Sequence, residues 1–376
     1  MQKRLSDWSD FMIKNKVTVF LIFLVVLFSV GTIGCAPKKN DIEQGIISKE
    51  LKESTSETST ESATVAQENQ NSEKGNGVSA HGAIKALNGK IVDQNGTPFV
   101  LKGMSSHGIV WFPKYTKYHS IQMTKNNGAN VFRVAMYTEE YGGYTTGENE
   151  KQNSKSIMYS AVDNAIRLDM YAIIDWHILS DQNPQKHKAE AIQFFDEVSK
   201  KYSGNPAVIY EICNEPHDVS WKNDIKPYAE EVIPVIRKND PDALIIVGSN
   251  TWSQDVDEAS EDLLQFDNIA YSFHFYAGTH KLDNFKPRLE KALANGATIF
   301  VTEWGTSDAS GNNGNYFDEA NKWLDYLDSK GISQINWSLC DKNESSAILK
   351  SGADPENWNE NDLTETGKFI FQSFKR

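Results

Sequence analysis

The feature that most limits what this chain can fold into is a repeat in its patterning. From about residue 100 onward, short apolar runs alternate with longer amphipathic segments. The runs lie at residues 100–104, 130–136, 171–176, 207–213, 243–248, 269–275, 298–303 and 334–339. Apolar runs of this length read as strands covered on both faces, as the strands of a parallel sheet are. The segments between them, such as 186–201, 225–238, 281–294 and 316–329, read as amphipathic helices. Eight such strands with helical crossovers over roughly 290 residues predict an α/β fold of the (β/α)8 TIM-barrel type. A doubly wound sheet would want a glycine-rich phosphate loop after its first strand. Gly103-Met104-Ser105-Ser106-His107-Gly108 does not provide one.

In such a barrel the active site forms at the C-terminal ends of the strands. The run starting at Val208 leads straight into Asn214-Glu215-Pro216, and Pro216, unable to donate to a ladder, ends it. The run from Ala297 delivers Glu303, followed by Trp304-Gly305. Two glutamates ending different buried strands suggest glycoside cleavage by a carboxylate pair. Asn214 and Glu215 are consecutive, and a regular strand would point them to opposite faces, so the strand must end or bulge there. Other strand ends carry polar and aromatic groups as well: His107 and Trp111, Arg133 and Tyr137, Asp175-Trp176-His177, His274 and Tyr276, and Trp337 followed by Lys342 and Glu344. So many such groups on one rim argue for a site. The three histidines do not form a metal set, because no His-x-His pair sits at a strand end.

The segments 131–137, 173–177, 209–216, 252–256, 274–280 and 301–307, in this order and spacing, resemble glycoside hydrolase family 5. They are most similar to its bacterial endo-β-1,4-glucanase branch, from about Gly82 to the C-terminus; Cys213 stands where that branch usually has a small residue. The resemblance implies Glu215 as acid/base and Glu303 as nucleophile of a retaining double displacement. It implies that Arg133 holds Glu303 ionised and that Asn214 binds the sugar 2-hydroxyl. Tyr276 would bond the nucleophile, and His107, His177 and His274 would line the sugar next to the cleaved bond. Trp337 would be the stacking floor, with a cis Trp337–Ser338 peptide, and Trp111, Tyr137, Lys342 and Glu344 would serve further sugars. The implied substrate is a β-glucan such as cellulose. Mixed-linkage glucan, xyloglucan and β-mannan stay open, as does a binding-only barrel. No cofactor and no metal are implied, and a monomer is expected.

The remainder of the chain adds context. A net charge of -13 argues against a nucleic-acid partner, which needs a basic face. Residues 1–35 start with Lys3 and Arg4, continue through an apolar run and end on Cys35, like a bacterial lipoprotein export signal. A lipidated Cys35 would tether an extracellular enzyme to the membrane; an uncleaved anchor or plain secretion are the alternatives. Residues 36–81 are rich in Ser, Thr and Glu and are expected to be a disordered linker, leaving 82–376 as the catalytic domain. A hairpin is expected across the Gln94-Asn95-Gly96 turn, and Cys213 and Cys340 are expected as buried free thiols. The acidic stretch 354–362 lacks the spacing of a calcium loop.

Overall fold

A computed structural model describes residues 75–376. The expected export segment, Cys35 and the expected linker up to residue 74 lie outside the described residues. Eight strands form a closed barrel: β1 (Lys102–Ser106), β2 (Val131–Tyr137), β3 (Tyr171–His177), β4 (Val208–Glu211), β5 (Ile245–Val247), β6 (Ile269–Tyr276), β7 (Ile299–Gly305) and β8 (Ser333–Leu339). Each pairs in parallel with its neighbours in chain order, and β8 closes on β1. The helices α1 (Tyr118–Asn126), α2 (Glu148–Arg167), α3 (Lys188–Lys201), α4 (Lys226–Asn239), α5 (Val256–Glu261), α6 (Leu282–Ala294) and α7 (Phe317–Lys330) are the crossovers, and α8 (Glu365–Ser373) follows β8. The expected TIM barrel is the observed fold. Among the described residues no helix is long and apolar enough to cross a membrane.

Strand alternation divides the side chains into layers. On β2, Phe132, Val134 and Met136 belong to the core between barrel and helices, with Ala172, Ile174 and Trp176 of β3. Their neighbours point inward. Val131, Tyr171, Ile173, Ile209, Ile246, Phe300 and Ile335 fill the bottom of the barrel with apolar volume. One step higher the inward positions become Arg133, Asp175, Glu211 and Thr302, all fully buried. Above them stand Tyr137, Tyr276 and Trp337. The apolar floor thus carries a charged middle layer, and that layer carries the site.

Two irregularities matter. β4 ends at Glu211, four residues short of Glu215, so the segment 212–216 leaves the ladder as the Asn214-Glu215 pair requires. On β7 the register shifts: Ser272 pairs with Phe300, but His274 pairs with Glu303. This β-bulge brings the consecutive residues Thr302 and Glu303 to the same interior.

The hairpin differs from the expected one. The regular antiparallel pair is Lys85–Leu87 with Lys90–Val92, turned at Asn88 and Gly89, both with positive φ. This is the Asn-Gly signature of a tight two-residue turn. The expected pairing across residues 94–96 is reduced to an isolated bridge between Val92 and Pro98, flanked by the bonds Asp93 N–H to Thr97 O and Phe99 N–H to Ile91 O. Within the acidic stretch 354–362, Trp358 is buried, stacked on Phe371 and donating to Ser120 Oγ.

The N-terminal boundary also moves. Residues 75–81, read as linker, lie against the barrel. Ser79 bonds Asp169 through its backbone N–H (2.7 Å) and its hydroxyl (2.8 Å), while His81 stacks on Phe99 and meets Asp93 at 3.3 Å. Small and polar composition hid a segment held mainly by hydrogen bonds, with Val78 alone packing on the apolar floor. A chain starting at Gly75 and one starting at Ala83 should therefore differ. The shorter should unfold a few degrees lower, from the loss of about 1–3 kcal/mol of hydrogen bonding and ring contact, as thermal denaturation would read. Equal melting temperatures would place these residues outside the cooperative fold.

Candidate active site

The site is assembled around Arg133 on β2, whose guanidinium is completely buried. Its Nε donates to Glu211 Oε2 (2.7 Å) and its Nη2 to Glu211 Oε1 (3.3 Å). Nη2 also donates to Asn214 Oδ1 (2.7 Å) and lies 3.0 Å from Asp175 Oδ2, while Nη1 donates to Glu303 Oε2 (3.1 Å). A planar fork of five N–H donors suits this task, which a lysine could not perform. Glu211 was not singled out from the sequence, and Asp175 was noted at its strand end without a role. They sit inside apolar runs, where one acidic residue at an inward position was the only available signal.

Glu303 receives a second donor, the Tyr276 hydroxyl, on Oε1 at 2.7 Å. Glu215 is mostly buried and is bonded through Oε1 to His274 Nδ1 at 2.8 Å. One oxygen of Glu215, one of Glu303 and a ring nitrogen of His274 all lie within 4.8 Å of one another. Burial pushes the Glu215 carboxyl up to about 8, with Arg133 opposing. Burial, and then the nearby Glu215, also push Glu303 upward, against His274 and Arg133. Both oxygens of Glu303 accept hydrogen bonds, one of them from a permanent cation, and Glu215 has neither aid. A proton shared by the pair therefore resides on Glu215.

Around them stands a wall of rings. His177 stacks on Trp337 (5.4 Å, 17°), and His107 lies 5.0 Å from the same indole. Tyr137 meets His177 at 4.1 Å and Trp111 at 4.5 Å. The Trp337–Ser338 peptide is cis, as expected. His177 Nδ1 is 2.5 Å from Asp175, and its Nε2 faces Asn214 Nδ2 at 3.3 Å. Asn214 also donates to the Ile178 carbonyl. Burial lowers His177 and His107 to about 3 and His274 to about 4, so all three rings are neutral. Lys342 Nζ bonds Glu344 Oε2 (2.6 Å) and lies 3.4 Å from His107 Nε2, at the edge of the wall.

Every residue singled out from the sequence, Cys35 aside, is thus brought to one rim. A further one was missed. Trp252 stacks flat on His217 (4.6 Å, 14°) and is 41% exposed on the Glu215 side. Its φ is positive, as are those of Thr251 and Ser253, and its N–H bonds the Pro216 carbonyl. A left-handed run of non-glycine residues has no sequence signature, which is why this indole went unassigned. Cys213 and Cys340 are free and buried.

Among the described residues, two groups have metal-ligand spacing. In the first, Glu215, His274 and Glu303, a cation would compete with the Arg133 and Tyr276 donors on Glu303. In the second, Glu139, Asp181 and His187, Thr138 already contacts both oxygens of Asp181, and Lys186 bonds Glu139. In both sets, carboxylate oxygens already have protein donors.

The arrangement can be compared with known proteins. An endoglucanase of Clostridium saccharobutylicum is 49% identical over 295 residues, covering 78% of this chain and 65% of the relative. The chain thus spans just under two thirds of that relative's length. Among solved structures, the cellulase Cel5C_n superposes with a TM-score of 0.76 at 44% identity, covering 79% of this chain and 93% of that one. The catalytic domain of a Thermobifida fusca endoglucanase, in complex with cellotetraose, gives 0.75 at 33% identity, covering 80% and 99%. The family model described as Cellulase (glycosyl hydrolase family 5) matches residues 92–343. With that match reaching from the hairpin to the loop beyond β8, the chain belongs to glycosyl hydrolase family 5.

Proposed function

We propose that the chain is a retaining endoglycosidase that hydrolyses internal β-1,4-glucosidic bonds of cellulose and related β-glucans. The approach of the Glu215 and Glu303 carboxyl oxygens to within 4.8 Å carries this reading. Retaining enzymes hold their carboxyl groups about 5–5.5 Å apart, whereas inverting ones leave roughly 6.5–9.5 Å for a water. Glu303, ionised between Arg133 and Tyr276, attacks the anomeric carbon and forms a glycosyl ester. Glu215 gives its proton to the departing glycosidic oxygen in the same step. It then takes a proton from the water that cleaves the ester, and the configuration is retained.

The rest of the rim serves binding. Asn214, its Oδ1 fixed by Arg133, directs its Nδ2 to the Ile178 carbonyl and to His177 Nε2, and the 2-hydroxyl of the sugar being cleaved shares that amide hydrogen beside His177. Trp337 is the floor for that sugar, with His107, His177 and His274 beside it. Trp111, Tyr137, Lys342 and Glu344 serve sugars on one side of the bond, and Trp252 a sugar on the other. The endoglucanase and cellulase names of the relatives, and the cellotetraose bound by one of them, favour β-glucan over β-mannan. The working unit is taken as a monomer. Export and attachment to the membrane through a lipidated Cys35 belong to the same proposal and rest on the apolar run that precedes it.

The assignment is tested by following product stereochemistry and rescue. Glu303→Ala should lose turnover by roughly 10⁴-fold or more, with azide restoring an inverted product on an activated aryl glycoside. Glu215→Ala should lose about 10²–10⁴-fold on poor leaving groups, spare activated ones, and yield retained azide product. Inverted product from the wild type would end the double-displacement assignment. No hydrolysis of a soluble cellulose derivative would favour a binding-only barrel, and preference for a mannan would redirect the substrate.

The pH profile has a definite sign. Protonated Glu215 is the active form, and its carboxyl is pushed up to about 8 by burial. The rate constant kcat/KM should therefore hold through neutral pH and fall as pH rises through about 8. On a leaving group that still needs the proton, Glu303→Ala with azide should keep an alkaline limb, moved to lower pH because the neighbouring carboxylate is gone. A limb that vanished in this variant would assign it to Glu303 instead.

For the anchor, Cys35→Ser should abolish labelling by a fatty-acid probe and release the protein from the membrane fraction. Unchanged labelling would end the lipoprotein reading, and unlabelled protein that stayed membrane-bound would leave the uncleaved anchor.

A further inference from the structure

Behind the acid/base residue lies a chain of hydrogen bonds whose direction is fixed at its far end. The Arg133 fork holds Glu211 by two N–H bonds, so this buried carboxylate can only accept. Thr302, fully buried, donates to Glu211 Oε1 at 2.7 Å. The β7 bulge makes this possible by turning Thr302 inward beside Glu303. A hydroxyl has one proton, and that of Thr302 is spent on Glu211. Its two lone pairs face the Ser272 hydroxyl and, at 2.9 Å, His274 Nε2. His274 must therefore donate from Nε2.

We propose that Thr302, ordered by Glu211, is a positioning residue that locks His274 in its Nε2–H form and thereby makes Glu215 the proton carrier of the pair. The inference rests on the glycosidase reading for its consequence in catalysis. A neutral ring with its hydrogen on Nε2 presents a bare lone pair at Nδ1. That lone pair lies 2.8 Å from Glu215 Oε1, where it can accept a proton and cannot donate one. A carboxylate there would face it lone pair to lone pair, whereas a carboxylic acid satisfies it. Burial of His274 keeps the ring neutral. After Glu215 has protonated the leaving group, the same bare nitrogen makes the new carboxylate more basic toward water. One contact thus serves both halves of the reaction.

The other charged and titratable groups facing this pair are Arg133 and Tyr137 on β2, Asp175 and His177 on β3, Glu211 on β4, Tyr276 on β6, Glu303 on β7, His217 beyond β4 and His280 beyond β6. A change at Thr302 removes none of them.

Thr302→Val keeps the shape and deletes the hydroxyl. His274 then loses its Nε2 acceptor, and the ring hydrogen moves to Nδ1, where it stabilises ionised Glu215. The alkaline limb of kcat/KM should shift to lower pH by about one unit, the differential worth of one buried hydrogen bond. At pH 8 aryl β-cellobiosides with poor leaving groups should lose roughly fivefold, and dinitrophenyl ones should lose little. Thr302→Ser, which restores the hydroxyl, should return the limb. An unmoved limb in Thr302→Val, or a loss independent of leaving group, would overturn the assignment. Because valine could disturb the bulge, the ¹⁵N shifts of the wild-type His274 ring, identified by their loss in His274→Gln, give a second reading. Hydrogen on Nε2 supports the assignment and hydrogen on Nδ1 overturns it, whatever the activity. Wild-type protein inactive on every aryl β-cellobioside would instead end the glycosidase reading, with the ring shifts still deciding the role of Thr302.

Discussion

Everything at the rim of this barrel depends on how one buried cation is neutralised. Arg133 has no exposed surface, and three carboxylates, Asp175, Glu211 and Glu303, converge on it from three other strands. Removing a partner from a buried ion pair commonly costs about 3–5 kcal/mol, because the remaining charge is left without water. The cluster therefore fixes the relative heights of β2, β3, β4 and β7. It also distributes roles. Glu211 is held by two bonds and faces the inner side, Asp175 turns to His177, and Glu303 shares the last N–H while its other oxygen is free to reach Tyr276.

The same guanidinium explains why two glutamates less than 5 Å apart behave differently. Both are buried, and burial raises both. What separates them is the set of donors supplied by the surrounding strands. Glu303 has a charged donor on one oxygen and a phenol on the other. Glu215 has no such donor and meets only the His274 ring, neutral because it too is buried. The lower-dielectric interior magnifies that difference, so a few hydrogen bonds suffice to place a single proton. A site nearer the solvent would need a larger charge imbalance for the same result.

Much of this was legible in the sequence, for a physical reason. Parallel strands covered on both faces must be apolar, so a charged residue within or at the end of one stands out, as Arg133, Glu215 and Glu303 do. Helical crossovers repeat often enough to reveal the barrel. The features that escaped are set by backbone conformation and long-range contact. The Trp252 indole owes its position to left-handed residues no propensity foretells, and residues 75–81 owe theirs to Asp169, some ninety positions away. The hairpin is an intermediate case: Asn88-Gly89 carried the turn signal, but the later Asn95-Gly96 drew the expectation, and that second pairing amounts to one bridge.

Both carboxylates of the pair sit where regular strand geometry fails, and the barrel itself supplies the reason. Strand alternation sends every second residue inward, so a regular strand offers its neighbours to the site about 6–7 Å apart along the chain. Sugar chemistry at one atom needs groups packed more closely than that. β4 meets the need by stopping after Glu211, which lets Asn214 and Glu215 both turn to the interior. β7 meets it by bulging, which brings Thr302 under His274 while Glu303 faces Arg133. Each departure sacrifices ladder hydrogen bonds at the top of the barrel, where β5 is also short. The apolar floor below carries the closure, and this division of labour leaves the upper ends of the strands free to be irregular.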